Sequence, residues 1–280
     1  MKSVVVTGVS TGIGWGAAKV LLQKGFRVFG SVRKAADAER LSQEFGPNFV
    51  PLMFDVTDEV AVRAAGEQVK AALNGEPLAG LVNNAGVSVV GPLLHLPVAE
   101  FRQQIEVNLT GVLITTQAFA PLLVAADHRK SGRIVNISSV GGKNAVPFLG
   151  PYCASKFALE GFSESLRREL MLLGVGVIVI APGAVATAIW GKADVEDIAR
   201  YRETAFFKPL QNVFAYMNAN GAKGLPPERL GRLIHKALTT ANPKVRYTIA
   251  PDMVQTFMTE NLPRRTVDNM LGKALGLLPD

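Results

Sequence analysis

Seven short apolar runs, separated by longer segments with helical periodicity, are the feature that most constrains the fold of this chain. Most of the runs are apolar throughout, as expected for strands that are covered on both faces of a parallel sheet. Strands that alternate with helices form a doubly wound sheet through right-handed crossovers. The predicted strands are Ser3–Thr7, Phe26–Val32, Phe49–Phe54, Leu78–Val82, Arg133–Ile137, Val175–Ala181 and Val245–Ile249.

The segments between these runs complete an α/β fold with a mostly parallel seven-stranded sheet and helices on both faces. At 280 residues the chain is near the upper limit for one hydrophobic core, and we predict a single domain. Within it, 188–225 is predicted to be a substrate-loop insertion, and 251–280 a helical tail that Pro263 interrupts. The predicted helices are Gly14–Lys24, Ala36–Phe45, Glu59–Leu73, Val98–Ala126, Pro151–Leu173 and Pro227–Thr240.

Composition excludes several classes of function. The net charge is +7, but the cations are scattered without a basic run, so we do not expect nucleic acid binding. The single Cys153 cannot form an internal disulfide, which is typical of a reducing compartment. The N-terminus begins directly with a strand, and the apolar stretch Gly174–Ile189 is too short and too broken for a membrane span. We therefore expect a cytoplasmic protein without a membrane span.

Tyr152 and Lys156 lie four residues apart in a predicted helix, which places both side chains on one face. An ammonium close to a phenol favours the phenolate, so this spacing predicts that Lys156 lowers the pKa of Tyr152 from about 10. A phenol tuned in this way is a general acid or base for a carbonyl and alcohol pair. The same spacing is common on solvated helix faces, so the neighbouring motifs have to decide between the two interpretations.

A glycine-rich turn, Thr7 to Gly14, joins the first predicted strand to the first helix. Glycines at such a turn let the backbone approach a pyrophosphate, which then lies at the positive end of the helix. The spacing, Thr-Gly-x-x-x-Gly-x-Gly, differs from the common dinucleotide pattern, but its place between strand and helix predicts a dinucleotide site. His95, His128 and His235 are widely separated and have no spaced partners, so we expect no metal site.

These motifs and several others resemble the short-chain dehydrogenase/reductase family over nearly the whole chain. The resemblance implies a Rossmann-type fold and a catalytic tetrad of Asn108, Ser139, Tyr152 and Lys156. Ser139 has the family's thirteen-residue spacing to Tyr152. The other matching residues are Gly8, Gly12 and Gly14, Asp55 after the third strand, Asn83-Asn84-Ala85-Gly86 after the fourth, and Pro182, Gly183, Val185 and Thr187 after the sixth.

The resemblance also implies a role for each residue. Tyr152 would give a proton to a carbonyl oxygen, Ser139 would polarise that oxygen, and Lys156 would hold the nicotinamide ribose. Asn108 would hold a water that links Lys156 to solvent. Cofactor contacts are expected from Gly8, Ser10, Thr11, Gly12, Ile13, Gly14, Arg33, Asp55, Val56, Asn83, Ala85, Gly86, Tyr152, Lys156, Pro182, Gly183, Val185 and Thr187. Taken singly, Asn83 and Asp55 could instead be capping residues, and Ser138 could replace Ser139.

The end of the second strand bears on the choice of cofactor. NAD enzymes usually place an acid there for the ribose hydroxyls, whereas this strand ends Val32-Arg33-Lys34. Val32 cannot accept a hydrogen bond from a hydroxyl, and the Arg33 guanidinium has the planar fork suited to a phosphate. The sequence therefore predicts NADP (NADPH) rather than NAD, although exposed charges at a strand end are the other interpretation.

The sequence segments around Ser139 and Tyr152 look most like those of the hydroxysteroid and retinol dehydrogenase branch of the family. This likeness implies a small apolar carbonyl or alcohol substrate, such as a steroid, a retinoid or an aliphatic ketone. A 3-oxoacyl-thioester reductase and a non-catalytic nucleotide-sensing protein are the alternatives. The resemblance further implies a homodimer or homotetramer, and Leu159, Phe162, Leu166 and Leu170 could face either a partner or the sheet.

Overall fold

A computed structural model describes residues 1–186 and 198–278, and its strands form one sheet in the order β3-β2-β1-β4-β5-β6-β7. Every neighbouring pair is parallel, so the predicted fold class is confirmed and the sheet contains no antiparallel pair among these strands. The strands are β1 Ser3–Val6, β2 Arg27–Val32, β3 Phe49–Met53, β4 Gly80–Asn83, β5 Arg133–Ile137, β6 Gly176–Pro182 and β7 Arg246–Ile249.

Helices cover both faces of this sheet. They are α1 Gly12–Gln23, α2 Ala35–Phe45, α3 Glu59–Leu73, α4 Val98–Ile105, α5 Gly111–Phe119, α6 Gly150–Glu169, α7 Phe207–Ala222, α8 Pro227–Thr239, α9 Met253–Asn261 and α10 Arg264–Leu275. The side chains of β1 show how the two layers are divided, because Val4 and Val6 pack in the cluster with α1 and α8, whereas Val5 packs in the cluster with α3 and α5.

The helix predicted over Val98–Ala126 is interrupted. A π-helical turn, Glu106–Thr110, separates α4 from α5, and a 3₁₀ turn over Ala120–Leu123 follows α5, where Pro121 disfavours a continued α-helix. A π turn inserts an extra residue and re-aims the side chains around it, and it occurs frequently at functional sites. Here it carries Asn108, so the helix prediction missed the feature that positions a predicted site residue.

The C-terminal third adds a layer above one end of the sheet. Of the predicted insertion 188–225, residues 188–197 lie outside the described part of the chain, while α7 contributes Leu210 and Val213 to a third buried cluster. That cluster also includes Leu275 of α10. Pro263 separates α9 from α10 as predicted and stands immediately before the first residue of α10. In residues 1–186 and 198–278, no helix is long and apolar enough to cross a membrane.

Candidate active site

A cavity of about 440 Å³ lies at the carboxyl ends of the parallel strands. Open parallel sheets bind ligands at this edge, close to the point where the strand order reverses between β1 and β4. The β1–α1 turn and the ends of β2 and β3 line one part of the cavity, which is called the cofactor end below. Residues of α7, the β7–α9 connection and α9 line the other part, called the substrate end.

The glycine turn of the cofactor end is held by close backbone contacts. Gly8 has a φ of +69°, and a Cβ placed at Gly14 would lie 2.1 Å from the Gly8 carbonyl oxygen, so neither position accepts a larger residue without a shift. The Asn84 side-chain amide donates to the carbonyl oxygens of Thr7, at 2.9 Å, and Gly8, at 3.0 Å. Asn84 therefore braces the turn, a role that was not predicted for it.

The same turn fits the pyrophosphate of a dinucleotide. Ser10, Thr11, Gly12 and Ile13 all line the cavity, as predicted. Thr11 is the N-cap residue of α1, and its side chain makes no capping hydrogen bond. The first backbone N–H groups of this twelve-residue helix thus point at the cavity without a side-chain acceptor at the cap, and an anion can bind them.

Val32, Arg33 and Asp55 line the cavity beside the glycine turn. Val32 is buried, and the exposed Arg33 guanidinium donates to an Asp55 carboxylate oxygen at 3.3 Å. Burial alone would raise the pKa of Asp55, but hydrogen bonds from Thr57 and the Arg33 cation outweigh it and hold that pKa below its usual range. Asp58, not Asp55, is the N-cap of α3 and accepts from the Ala61 N–H.

Arg40 is a second cation at this end, and sequence reasoning did not identify it. Its guanidinium donates to the Ser10 carbonyl oxygen at 2.7 Å and to Asp37 at 3.1 Å. No local motif marks Arg40, because α2 brings it to the glycine turn from thirty residues further along the chain. Arg33 therefore lines the cavity beside Val32, where an acid is absent from the end of β2, and Arg40 contacts the glycine turn while it is paired with Asp37 and Glu44.

Tyr152, Ser139 and Lys156 meet inside the cavity. Tyr152 shares a hydrogen bond with the Ser139 side chain, so it is Ser139 rather than Ser138 that contacts the phenol. Ser139 Oγ also accepts from the Gly141 N–H at 3.0 Å. The Lys156 ammonium lies 5.7 Å from the centre of the Tyr152 ring and donates to the Ile137 carbonyl oxygen at 2.8 Å.

The pKa of Tyr152 is shifted in the opposite direction to the sequence-based prediction. Burial raises the pKa of Tyr152 to about 12, and the hydrogen bond from Ser139 opposes that rise only in part. Burial also lowers the pKa of Lys156 to about 8, against the upward effect of the Glu160 carboxylate. Desolvation thus outweighs the predicted effect of Lys156 on the phenol, and Tyr152 is a protonated acid at neutral pH.

Asn108 is buried in the wall of the cavity, and its side-chain amide forms hydrogen bonds that hold the loop after β4. Its side-chain oxygen accepts from the Val87 N–H at 2.9 Å, and its NH₂ donates to the Val87 carbonyl oxygen and to Ser155 Oγ. Ser155 in turn donates to the Tyr152 carbonyl oxygen at 2.7 Å. These contacts tie the π-helical turn to the first turn of α6. The water relay through Asn108 stays a prediction.

Two of the predicted cofactor residues within the described part of the chain, Gly14 and Asn83, do not line the cavity. Gly14 lies behind the glycine turn, and Asn83 is buried in a polar network, where its NH₂ donates to Asn136 at 2.9 Å and its oxygen accepts from Thr115 at 2.8 Å. Asn83 thus joins β4 to β5 and α5. Thr187 lies outside the described residues. The remaining predicted residues, including Val56, Ala85, Gly86, Pro182, Gly183 and Val185, line the cavity.

In the part of the chain that the structure describes, no group of three or more His, Cys, Asp or Glu side chains is arranged to hold a metal ion. The titratable groups that line the cavity are instead those of Arg33, Asp55, Tyr152, Cys153, Lys156, Tyr216 and Asp252. Burial raises the pKa of Cys153, which suits a thiol that fills space beside Tyr152. The geometry thus favours proton transfer by Tyr152 beside a bound dinucleotide.

Comparison with known proteins gives the same family. Residues 2–197 match the short chain dehydrogenase family, and the chain therefore belongs to the short-chain dehydrogenase/reductases. An NADPH-dependent 3-dehydrocapnine reductase from Ornithobacterium rhinotracheale is 39% identical over 277 residues, which cover 98% of each chain. A dehydrogenase/reductase SDR family member 9 from Bos taurus is 33% identical over 268 residues, which cover 90% of this chain and 81% of that one.

Solved structures confirm the fold. A short-chain dehydrogenase from Streptomyces avermitilis has a TM-score of 0.77 and 26% identity, and the match covers 99% of this chain and 96% of that one. A closed form of serine dehydrogenase in complex with NADP⁺ has a TM-score of 0.72 and 25% identity, with coverage of 88% and 94%. The protein is thus an NAD(P)-dependent oxidoreductase with a Rossmann-type fold in a single domain.

Proposed function

We propose that this enzyme prefers NADP(H) and interconverts the carbonyl and alcohol groups of an apolar substrate, with reduction as the physiological direction. The observation that carries this proposal is the convergence of Tyr152, Ser139 and Lys156 in one cavity with the glycine turn and Arg33. The relative from Ornithobacterium rhinotracheale is named as an NADPH-dependent reductase, which supports both the cofactor and the direction.

The side chains have distinct tasks in this reaction. The cofactor, when bound, supplies the hydride. Tyr152 holds its proton at neutral pH and donates it to the substrate oxygen, and the nearby Lys156 ammonium stabilises the phenolate that remains. Ser139 Oγ accepts from the Gly141 N–H, and its hydroxyl, which contacts Tyr152 in this structure, would turn to donate to the substrate oxygen.

The preference for NADP(H) rests on the contacts of Arg33. Its ion pair with Asp55 is exposed, with 66% of the Arg33 side chain accessible, so the pair contributes little stability and can open for a phosphate. Val32 offers no acceptor to ribose hydroxyls and no charge that would repel a 2′-phosphate. A charge-assisted contact to that phosphate is worth about 1.5–3 kcal/mol, or roughly one to two decades in affinity.

Dissociation constants of NADPH and NADH, measured on four proteins, test the cofactor assignment. Arg33→Ala should weaken NADPH far more than NADH, and Val32→Asp should reverse the preference by adding an acceptor and a repulsive charge. Lys34→Ala is the matched control, because Lys34 is the adjacent exposed cation and does not line the cavity. A parent that favours NADH, or an Arg33→Ala variant that weakens both cofactors equally, would refute the assignment.

The substrate is tested by following NADPH absorbance with steroids, retinoids, aliphatic ketones, 3-dehydrocapnine and 3-oxoacyl thioesters. An apolar ketone should be reduced fastest, because Val146, Leu149 and Met217 line the cavity near Tyr152. The thioester alternative predicts basic residues at the entrance of the pocket, for the phosphate of a carrier. Among the described residues of α7, the β7–α9 connection and α9 that line the cavity, the charged residue is the acid Asp252. Faster turnover of the thioesters would favour that alternative.

We also propose that the chain assembles into a homodimer or homotetramer in the cytoplasm. Leu159 is fully buried and Leu166 packs against the sheet, so these side chains do not form a partner surface. Exposed apolar residues on α4, α5 and α6 are better candidates, namely Phe101, Leu113 and Phe157. Light scattering at micromolar concentration should give two or four chains; the mass of one chain would contradict the proposal.

A further inference from the structure

Helix α9 has two faces of opposite character. Gln255 and Thr256 line the substrate end of the cavity. On other positions of the helix, Met253, Val254, Phe257 and Met258 are exposed to 47%, 71%, 66% and 43%. Positions 253 and 257, and likewise 254 and 258, are four residues apart, so the four side chains form one stripe. Where α9 lines the substrate end, the wall is therefore one helix thick, and the outer surface of that helix is apolar.

Three cations lie beyond the C-terminal end of this stripe. Lys143, Arg264 and Arg265 are exposed, and the Arg264 guanidinium donates to the Lys143 carbonyl oxygen at 3.3 Å. This contact joins the loop after β5 to the start of α10 in one surface. Among the described residues, none of the three cations forms an ion pair with a carboxylate, so their charge is available to an anionic partner.

We infer that the stripe and these three cations form a docking surface for an anionic lipid bilayer. Apolar side chains on one face of a helix insert at the boundary between headgroups and acyl chains, and flanking cations bind the lipid phosphates. The stripe supplies the first element and Lys143, Arg264 and Arg265 the second. The helix that carries the exposed apolar stripe ends at Asn261, three residues before Arg264 of the positive patch, and this combination matches a bilayer in both polarity and charge.

Docking would also determine how a substrate enters. Because α9 separates the bilayer surface from the cavity by one helix, an apolar ketone could pass from the lipid to Tyr152 without crossing water. This part of the inference rests on the proposed function, whereas lipid binding does not. The two can therefore fail separately, and the experiment measures lipid binding without cofactor or substrate.

Sedimentation of the full chain with vesicles provides the test. Vesicles of phosphatidylcholine, with and without phosphatidylglycerol, are titrated at low and high salt. The parent should bind the vesicles that contain phosphatidylglycerol, and salt should weaken this binding. Phe257→Glu should reduce the binding at least tenfold. Val60→Glu, at an apolar position on α3 that is 80% exposed, is the matched control and should bind like the parent.

The charge requirement is tested separately. Arg264→Gln with Arg265→Gln should weaken binding to phosphatidylglycerol vesicles by about fivefold for each cation. Arg129→Gln with Lys130→Gln removes the same charge at a distant exposed site and should have little effect. Circular dichroism and NADPH affinity show whether each variant is folded, and Phe257→Ser replaces Phe257→Glu if the latter is not.

Three results would overturn the inference. The parent could fail to sediment with either vesicle. Phe257→Glu and Val60→Glu could bind equally well, which would leave no role for the stripe. The parent could ignore vesicles while Phe257→Glu lowers the mass measured by light scattering, in which case a second copy of the chain covers the stripe.

Discussion

The two ends of the cavity are stabilised by different kinds of contact. At the cofactor end, backbone groups and short buried side chains hold the glycine turn: the Gly8 N–H donates to Ser31 Oγ at 2.9 Å, and Thr7 Oγ1 accepts from the backbone of Asn84 and Ala85. At the substrate end, the walls are helices attached to the sheet by side chains from distant parts of the chain. The first end is specified locally, and the second only by tertiary contacts.

Arg246 shows how the substrate end is attached. Its Nε donates to both carboxylate oxygens of Glu160, at 3.2 and 3.0 Å, and thereby joins edge strand β7 to the catalytic helix α6. Its Nη1 donates to Thr248 Oγ1, and its Nη2 lies 4.0 Å from a carboxylate oxygen of Glu260 in the last turn of α9, an ion pair without a hydrogen bond. The charged groups are mostly buried, with 16–18% of each side chain accessible. A largely buried ion cluster thus connects the wall of the cavity to the helix that carries Tyr152 and Lys156.

The largest effect is expected for a change at Tyr152, where the cofactor end and the substrate end of the cavity meet. Tyr152→Phe should lower kcat for ketone reduction by about 10²–10⁴-fold, because it removes the proposed proton donor. NADPH affinity should stay within twofold to threefold of the parent, since the change deletes one oxygen and leaves the glycine turn intact. Pre-steady-state and steady-state assays with one accepted ketone provide the measurement.

Tyr216→Phe is the control for this prediction, because Tyr216 also lines the cavity. It should retain most of the turnover. Equal losses in the two variants would show that any tyrosine hydroxyl in the cavity matters, and the assignment of Tyr152 would then be wrong.

The next largest effect should be confined to the substrate end. Arg246→Met leaves the mostly buried Glu160 carboxylate without its partner and should lower the free energy of unfolding by about 3–5 kcal/mol. Urea unfolding measures this loss. Arg63→Met removes an exposed pair with Glu59 and should change stability by less than about 1 kcal/mol.

The Arg246→Met variant should also affect substrate binding and cofactor binding differently. Because Glu260 loses its cation, α9 should be held less firmly, so KM for the ketone should rise more than the dissociation constant of NADPH. An equal effect on both constants would show that the two ends are mechanically one unit.

A change at the cofactor end should show the reverse pattern. At Gly14 an added Cβ would lie 2.1 Å from the Gly8 oxygen and 2.5 Å from Asn84 Nδ2, so Gly14→Ala should cost about 1–3 kcal/mol through overpacking. NADPH should bind at least tenfold more weakly. Gly161→Ala on α6 meets no atom within 4 Å and should stabilise the helix by up to about 1 kcal/mol. Unchanged NADPH affinity in Gly14→Ala would contradict the proposed role of the turn.

This contrast also explains what the sequence could predict. All seven strands and the residues at their carboxyl ends were predictable, because parallel strands bring such residues to one edge whatever the details of packing. Arg40 and the Arg246 cluster were missed because no local motif marks these residues. Asn84 stands within a recognised motif, but the motif did not show that its side chain bonds the glycine turn, which is distant in sequence. The sign of the Tyr152 pKa shift was also missed, because four-residue spacing gives proximity to Lys156 but not the desolvation that dominates.

The smallest expected effect concerns the charge of Lys156, which is expected to act on both the cofactor and the Tyr152 phenolate. Its pKa of about 8 means that the ammonium is present below that pH and is lost above it. Reduction needs this charge to stabilise the Tyr152 phenolate, so kcat should be constant at lower pH and fall as the pH rises through about 8. Glu160→Gln removes a carboxylate that raises the pKa of Lys156 and should move the descending limb to lower pH. Profiles of kcat against pH at saturating NADPH check both statements, and a limb that moves to higher pH in Glu160→Gln would show that another group controls it.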